Sequence, residues 1–244
     1  MVFPTQNRYT GDIGDYGKLG LLRVLQSTGL TIGINWYLTP DETHNDDGRY
    51  VDYLTDADYR PCDEALWLEL GRIVSSKQRE VRALQKDQIL KATFYSKPLD
   101  FFGMGKSERI ETRIKWHKAA LGSLSGIDVV FVDPDNGLVV PSAAGTRKEN
   151  KYVTPDELAG YYMQGSSVIY YQHKARRQNS FYTDQHNRLI ASSDFKDASG
   201  LGLLFRPTSQ RYYFFIIQPA HFELVTDAVT KMLASAWGNC FYPL

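Results

Sequence analysis

The amino-acid sequence predicts an α/β protein with a mainly parallel sheet and an antiparallel strand near the C-terminus. Short apolar runs rich in β-branched and aromatic residues alternate with segments whose apolar residues recur at helical spacing, an order typical of parallel strands joined by helices. The last two apolar runs, 201–206 and 212–217, are separated only by a turn, as in an antiparallel pair. We therefore expect this pair to form a non-parallel edge of the sheet.

Each predicted strand is based on a short apolar run, and each predicted helix on apolar residues at helical spacing. We expect strands at residues 31–38, 92–96, 127–132, 167–172, 201–206 and 212–217, and helices after the glycine-rich lead-in 7–20, within 63–90, and at 107–121, 155–163, 178–191 and 220–235. Asp63 is a candidate N-cap, and Thr154 with Glu157 forms a capping box around a proline at the first helical position. Glu157 is thus expected to be structural. No linker divides the 244 residues, which favours a single domain.

The composition limits the classes of partner. Lys plus Arg and Asp plus Glu both total 28, so the formal net charge is zero and any contact with nucleic acid has to be local. The two cysteines, Cys62 and Cys240, have no metal-ligand spacing, which favours a reduced, cytoplasmic protein. The first residues lack the apolar stretch of a signal peptide, and no run approaches the roughly 20 apolar residues of a membrane span.

The densest chemistry lies where the apolar run 128–132 ends. The residues that follow are Asp133-Pro134-Asp135-Asn136, which place two carboxylates and an amide in a sharp turn. The run 167–172 ends in the same way, at His173. If a helix joins these two strands, they are parallel and their carboxyl ends share one edge of the sheet, where open α/β sheets bind ligands. We therefore predict catalytic roles for Asp133, Pro134, Asp135, Asn136 and His173.

Four other segments carry polar groups with more than one interpretation. The lead-in, with Asp12, Asp15 and Lys18, is either an anion-binding loop or a loop of glycine turns and aspartate caps. The loop 39–48, with four acids and one histidine, either ligates a divalent cation or is solvated. The cations of 174–177 either contact phosphate or begin a solvated helix. His117 shares a helix face with Ile110 and Ile114 and is expected to be packed.

Several of these segments match a known family. The turn Asp133-Pro134-Asp135-Asn136 agrees at two of four positions with the Asp-Pro-Pro-Tyr motif of the J-type ribosomal-RNA adenine-N6 methyltransferases, and the lead-in 11–18 resembles that family's N-terminal segment, which ends in a lysine. Gly48-Arg49-Tyr50 is similar to the residues that close its cofactor loop. The chain thus resembles the class I S-adenosylmethionine-dependent methyltransferases, a resemblance that implies a Rossmann-like three-layer sandwich.

The resemblance also implies roles for individual residues. The Asp133 carboxylate and the Pro134 carbonyl would accept hydrogen bonds from a target amine of a nucleic acid or nucleotide and hold it in line with the cofactor methyl. S-adenosylmethionine would contact Asp12, Thr39, Asp41 and Gly48, and the substrate-binding residues would be Tyr16, Lys18, Lys174, Arg176 and Arg177. Asn136 replaces the aromatic residue of the motif, so Tyr16, Tyr170 or Tyr171 would have to stack on the base.

The same residues allow two other functions. Asp133, Asp135, Asp12 and Asp15, with Asn136 and His173 nearby, could bind Mg²⁺ or Mn²⁺ and activate water against a phosphodiester, which would make the protein a nuclease or phosphodiesterase. The loop 39–48 has no Gly-x-Gly, which favours instead a catalytically inactive Rossmann-like binding protein. No sequence feature specifies the oligomeric state.

Overall fold

A computed structural model describes residues 10–40, 50–76, 79–86 and 88–244. In it the chain is an α/β protein built on a seven-stranded, mostly parallel sheet. The strands are β1 (Ile32–Asn35), β2 (Ala92–Tyr95), β3 (Val129–Val132), β4 (Gly137–Leu138), β5 (Tyr152–Val153), β6 (Ser167–His173), β7 (Ser199–Phe205), β8 (Arg211–Ile217) and β9 (Phe241–Pro243). The short strands β4 and β5 pair with each other outside the main sheet.

The helices agree in position with the predicted ones, except that the first begins earlier, within the lead-in. They are α1 (Ile13–Gln26), α2 (Glu64–Ser75), α3 (Val81–Leu84), α4 (Lys106–Ser123), α5 (Pro155–Met163), α6 (Asn179–Ile190) and α7 (Phe222–Leu233). Two predicted helix starts are confirmed by their hydrogen bonds. The Asp63 carboxylate accepts from the Leu66 N–H, and Thr154 and Glu157 form the reciprocal capping box. Within the described residues, no helix combines the length and the apolarity needed to cross a membrane.

The strand order is β2-β1-β3-β6-β8-β7-β9, and it corrects the expected position of the antiparallel strand. Strand β8 runs antiparallel between β6 and β7, so it is interior, and β9 forms the edge. The reason is burial: all seven residues of β8 are buried, and a strand this apolar on both faces is stable only when it is covered and paired on both sides. The aromatic side chains of 212–217 are therefore core, as expected.

Alternate residues of the strands pack into two apolar clusters. In β3, Val129 and Phe131 join a cluster with the apolar residues of α1, α2 and α7, whereas Val130 and Val132 join one with residues of α4 and α5. This alternation is the period of two that a β-strand imposes. Both faces of the sheet are thereby covered, which explains why every residue of β1 and β3 is buried.

The glycine-rich lead-in is a helix over most of its length, where we had expected a loop. Asp12 caps α1 by accepting the Asp15 N–H at 2.9 Å, and the helix continues through three glycines. A Cβ at Gly17 would lie 2.8 Å from the Phe205 ring, and one at Gly20 would lie 2.2 Å from Trp237. Glycine is therefore needed here for close packing, at some cost in helix propensity. Of the two interpretations of the aspartates, capping is confirmed for Asp12.

Helix α4 is rotated relative to the prediction. Ile110 and Ile114 are 49% and 63% exposed, whereas the face that is buried carries Arg113, Trp116 and Ala120. The Arg113 guanidinium is buried because it pairs with Glu157, an interaction that apolar periodicity does not anticipate. His117 is packed edge-on against Tyr161, with ring centroids 5.2 Å apart, which confirms its structural role.

Candidate functional site

A crevice with a volume of about 520 Å³ opens at the carboxyl ends of the parallel strands. Its walls come from α1, from the segments that follow β1 and β3, from the end of β6 and from the start of β8. Strands β3 and β6 are parallel, with Val129 opposite Ser167, so Asp133 and His173 emerge at the same edge. The crevice brings together most of the predicted site residues: Asp12, Asp15, Lys18, Thr39, Asp133, Pro134, Asp135, Asn136 and His173.

The turn after β3 is tied to β6. The Asn136 carbonyl accepts the Gln172 side-chain amide at 2.9 Å and the His173 backbone N–H at 3.3 Å. Gly137 has φ +104°, and a Cβ there would lie 2.3 Å from the Gln172 side chain. These contacts fix the turn against β6. Asp133 and Pro134, which precede Asn136 in the turn, are thereby held at the crevice.

Lys18 connects α1 to this turn. Its ammonium group donates a hydrogen bond to Oδ2 of Asp133 and lies 3.2 Å from Oδ1 of Asp15, and both the Lys18 and Asp133 side chains are only 12% exposed. Burial by itself lowers the pKa of Lys18, but the two carboxylates more than offset this and raise the pKa above its usual value. Burial raises the pKa of Asp133, and Lys18 opposes that rise.

Two oxygen acceptors remain available at the same place. Among the described residues, no donor bonds to Oδ1 of Asp133 or to the carbonyl oxygen of Pro134, although both residues line the crevice. Both oxygens can therefore accept a hydrogen bond from a ligand or from water in the crevice.

The aspartates of α1 are already engaged. Oδ1 of Asp12 accepts the Asp15 N–H, and Oδ2 of Asp15 accepts the Gly11 N–H at 2.8 Å. Burial and the nearby Asp15 carboxylate raise the pKa of Asp12. The described residues contain no cluster of three or more His, Cys, Asp or Glu side chains arranged to hold a metal ion, and the Lys18 ammonium already lies between Asp15 and Asp133. This arrangement favours neutralisation of the Asp15 and Asp133 carboxylates by Lys18 over neutralisation by a metal ion.

The remaining residues that were predicted to bind substrate or cofactor either do not line the crevice or lie outside the described residues. Tyr16 is fully buried and its hydroxyl donates to the Tyr59 carbonyl, so it is a core residue. Lys174 donates to the Gln210 side chain at 2.6 Å outside the crevice. Arg176 and Arg177 are exposed beyond the end of β6. Asp41 and Gly48 lie outside the described residues.

An aromatic side chain does line the crevice. Of the three tyrosines considered as replacements for the missing motif aromatic, Tyr16 and Tyr170 are buried in the core, and Tyr171 borders the crevice. Its hydroxyl lies 3.3 Å from Nδ1 of His173, and burial raises the pKa of Tyr171 to about 12. Tyr171 is therefore a neutral aromatic surface beside Asp133.

Tyr37 and Arg211 are among the crevice residues that sequence reasoning missed. Tyr37 has a left-handed backbone, with φ +48°, held by a hydrogen bond from its hydroxyl to Glu157 at 3.2 Å. Arg211, the first residue of β8, stands opposite His173 in the register of β6 and β8. The signal for Arg211 was available in principle, because the first residue of a strand antiparallel to β6 lies at the same edge as the last residue of β6.

The protein is an α/β protein with a crevice at the carboxyl edge of its parallel strands, the place where open α/β sheets bind ligands. Comparison of the sequence with protein-family models and with curated proteins found no match. The geometry of the crevice is therefore the basis for the proposed function.

Proposed function

We propose that the protein is a methyltransferase-like enzyme that uses S-adenosylmethionine to methylate an amine of a nucleic acid or nucleotide. One observation carries this proposal: Asp133 and Pro134 offer two acceptors without donors in a crevice where Lys18 holds the other oxygen of Asp133. The two segments that resemble the J-type family, the lead-in ending at Lys18 and the Asp-Pro turn, are 115 residues apart and meet through this contact.

The crevice fits the cofactor in size and charge. A volume of about 520 Å³ lies within the range of small-molecule sites, roughly 300 to 1,000 Å³. S-adenosylmethionine carries a sulfonium, an ammonium and a carboxylate, and the lining offers both carboxylates and cations for them: Asp12, Asp15, Asp133 and Asp135, with Lys18, Lys151 and Arg211. When bound, the cofactor would supply an electrophilic methyl group.

The residues of the chain would act mainly by position. Asp133 Oδ1 and the Pro134 carbonyl would accept the two N–H groups of the target amine, which fixes the direction of its lone pair. Lys18 would keep the Asp133 carboxylate oriented, and Tyr171 would stack on the base in place of the motif aromatic, a contact worth about 1–3 kcal/mol per base. The exposed cations Arg176 and Arg177 would contact backbone phosphates.

We interpret the sheet with both faces covered as a Rossmann-like three-layer sandwich. We also propose a reducing compartment such as the cytoplasm, because the two cysteines of the sequence, Cys62 and Cys240, lie far apart in sequence and have no metal-ligand spacing.

Ligand-dependent melting and methyl transfer test the proposal. We expect S-adenosylmethionine to raise the melting temperature, since a ligand that binds only the folded state stabilises it, and Mg²⁺ or Mn²⁺ to leave it unchanged. Transfer of labelled methyl to RNA, DNA or nucleotides should fall at least about 100-fold in Asp133→Ala, with Glu111→Gln on exposed α4 as the control.

Three other results would count against the proposed enzyme. A shift with the divalent ions alone would contradict the proposal and favour the phosphodiesterase. A shift with S-adenosylmethionine without transfer to any acceptor would favour a binding protein. Full activity in Asp133→Ala would show that the strand end is structural.

A further inference from the structure

Arg211 is a buried cation to which the proposed methyl transfer gives no specific contact. The residue is 6% exposed, lines the crevice and is included in none of the ion pairs of the described residues. Its Nε donates to the Ser209 carbonyl at 3.1 Å and its Nη2 to the Ser209 hydroxyl at 2.6 Å. Nη1 donates no hydrogen bond to any residue in the described part of the chain.

The guanidinium is held in place on both sides. Its carbon lies 5.7 Å from the centroid of the Phe205 ring, within the range of a cation–π contact. On the other side is the first turn of α1, where a Cβ at Gly14 would lie 1.6 Å from Nη1. Gly14 thus makes the space that the guanidinium occupies. A side chain fixed in this way loses little conformational entropy when it binds a ligand.

The neighbouring carboxylates do not take up this donor. Asp12 and Asp15 contribute to the field around Arg211, but both accept backbone N–H groups of α1, and Asp15 is also paired with Lys18. A desolvated guanidinium that lines a cavity and has an unused N–H can bind an oxyanion through charge-assisted hydrogen bonds, which are stronger than neutral ones.

We propose that Arg211 is an oxyanion-binding residue of the crevice and recognises a phosphate or carboxylate group of the ligand. This inference goes beyond methyl transfer, since it concerns binding of an anion whatever reaction follows. The oxyanion has two possible sources in this crevice, the phosphate of a nucleotide and the carboxylate of an amino-acid-bearing cofactor, and both are tested below.

The first experiment uses the anion alone. Inorganic phosphate, compared with KCl of equal ionic strength, should raise the melting temperature of the wild type and of the control Arg206→Gln, a variant of an exposed arginine at the other end of the same turn. It should have no such effect on Arg211→Gln. Phosphate should also fail to stabilise Gly14→Ala, in which the new methyl group displaces the guanidinium without removing its charge.

Gly14→Ala keeps the test valid if Arg211→Gln folds poorly. Alanine favours the helix over glycine, and the displaced atoms are the flexible end of a side chain, so this variant should fold. A wild type that phosphate does not stabilise, or variants that phosphate stabilises equally, would overturn the proposal. These outcomes are independent of S-adenosylmethionine binding, so the two proposals fail separately.

The second experiment identifies the source of the anion. If it is a nucleotide phosphate, AMP should bind the wild type at least about tenfold more tightly than adenosine, and Arg211→Gln should abolish that difference. If it is a cofactor carboxylate, S-adenosylhomocysteine should show the same advantage over methylthioadenosine, again only with Arg211 in place. Either pattern supports the proposal, whereas an advantage that persists without Arg211 contradicts it.

Discussion

The ammonium group of Lys18 is hydrogen-bonded to the carboxylate of Asp133, and through this contact helix α1 closes over the end of strand β3. Both side chains are largely buried, and Lys18 is also paired with Asp15. Removing Lys18 leaves the Asp133 carboxylate uncompensated in a poorly solvated place, and removing Asp133 leaves Lys18 with Asp15 alone; either loss costs more than the pair itself contributes. The free energy of unfolding of single and double variants can therefore measure how closely the two groups are coupled.

We expect Lys18→Met and Asp133→Asn each to lower the free energy of unfolding by about 3 kcal/mol, and the double variant to lose clearly less than the sum. The control is the exposed pair Lys115 and Glu111 on α4, whose coupling should not exceed about 0.5 kcal/mol. Urea denaturation at neutral pH measures all six variants. Additive losses at Lys18 and Asp133 would mean that the contact contributes nothing to folding.

The glycines of α1 allow a second prediction. Gly20→Ala should lower the free energy of unfolding by about 1–3 kcal/mol, because its methyl group would collide with the Trp237 ring. Gly122→Ala on α4, where no atom lies within 4 Å of the new Cβ, should raise it by up to about 1 kcal/mol through helix propensity alone. Thermal or urea unfolding distinguishes the two. A stabilised Gly20→Ala would show that α1 and Trp237 are not in contact.

The glycines of α1 also show which features of the fold could not be predicted from the sequence. Strands β3 and β6 were recognisable because each is a continuous apolar run, and their parallel direction followed from the helix between them, so the meeting of Asp133 and His173 was predictable. The helical state of Gly14, Gly17 and Gly20 was not. It depends on Arg211, Phe205 and Trp237, which come roughly 190 to 220 residues later in the chain and are brought to α1 only by the tertiary fold.

The crevice was likewise only partly predictable. The turn 133–136 and Lys18 were identified as site residues, but the Lys18 contact with Asp133 requires the packing of α1 on the sheet. Arg211 was missed because the sequence indicated that β8 pairs with β7 but not that β8 also pairs with β6. Tyr16 was considered as a residue that stacks on the base, yet it lies two residues before Lys18 on the helix, about 200° away at about 100° per residue, and faces the core.

A third prediction concerns pH. His186 is buried against Phe214, and burial lowers its pKa to about 4 from a usual value of 6.5. The unfolded chain therefore takes up a proton at higher pH than the folded one, so the stability contributed by neutral His186 is complete above pH 6.5 and is lost as the pH falls towards 4. The expected loss across this window is about 3 kcal/mol.

The variant His186→Phe isolates this contribution, because it keeps a ring beside Phe214 and removes the titrating group. Urea denaturation between pH 7 and 4 should show a decline smaller by about 3 kcal/mol in the variant than in the wild type. Other acid-sensitive groups, among them the buried pair of Arg113 and Glu157, are common to both proteins and cancel in the difference. Parallel curves for the two proteins would contradict the assignment.

The last prediction concerns the exposed cations that follow β6. If Arg176 and Arg177 contact phosphates, replacing both with alanine should weaken binding of single-stranded nucleic acid and flatten its salt dependence by about 0.7 in the log–log slope for each lost contact. The control removes the same charge elsewhere, from Lys115 and Lys118 on the exposed face of α4. Fluorescence anisotropy over a range of salt concentrations gives both slopes. An unchanged slope in the arginine variant, or an equal change in the lysine variant, would indicate that net charge rather than a located contact governs the binding.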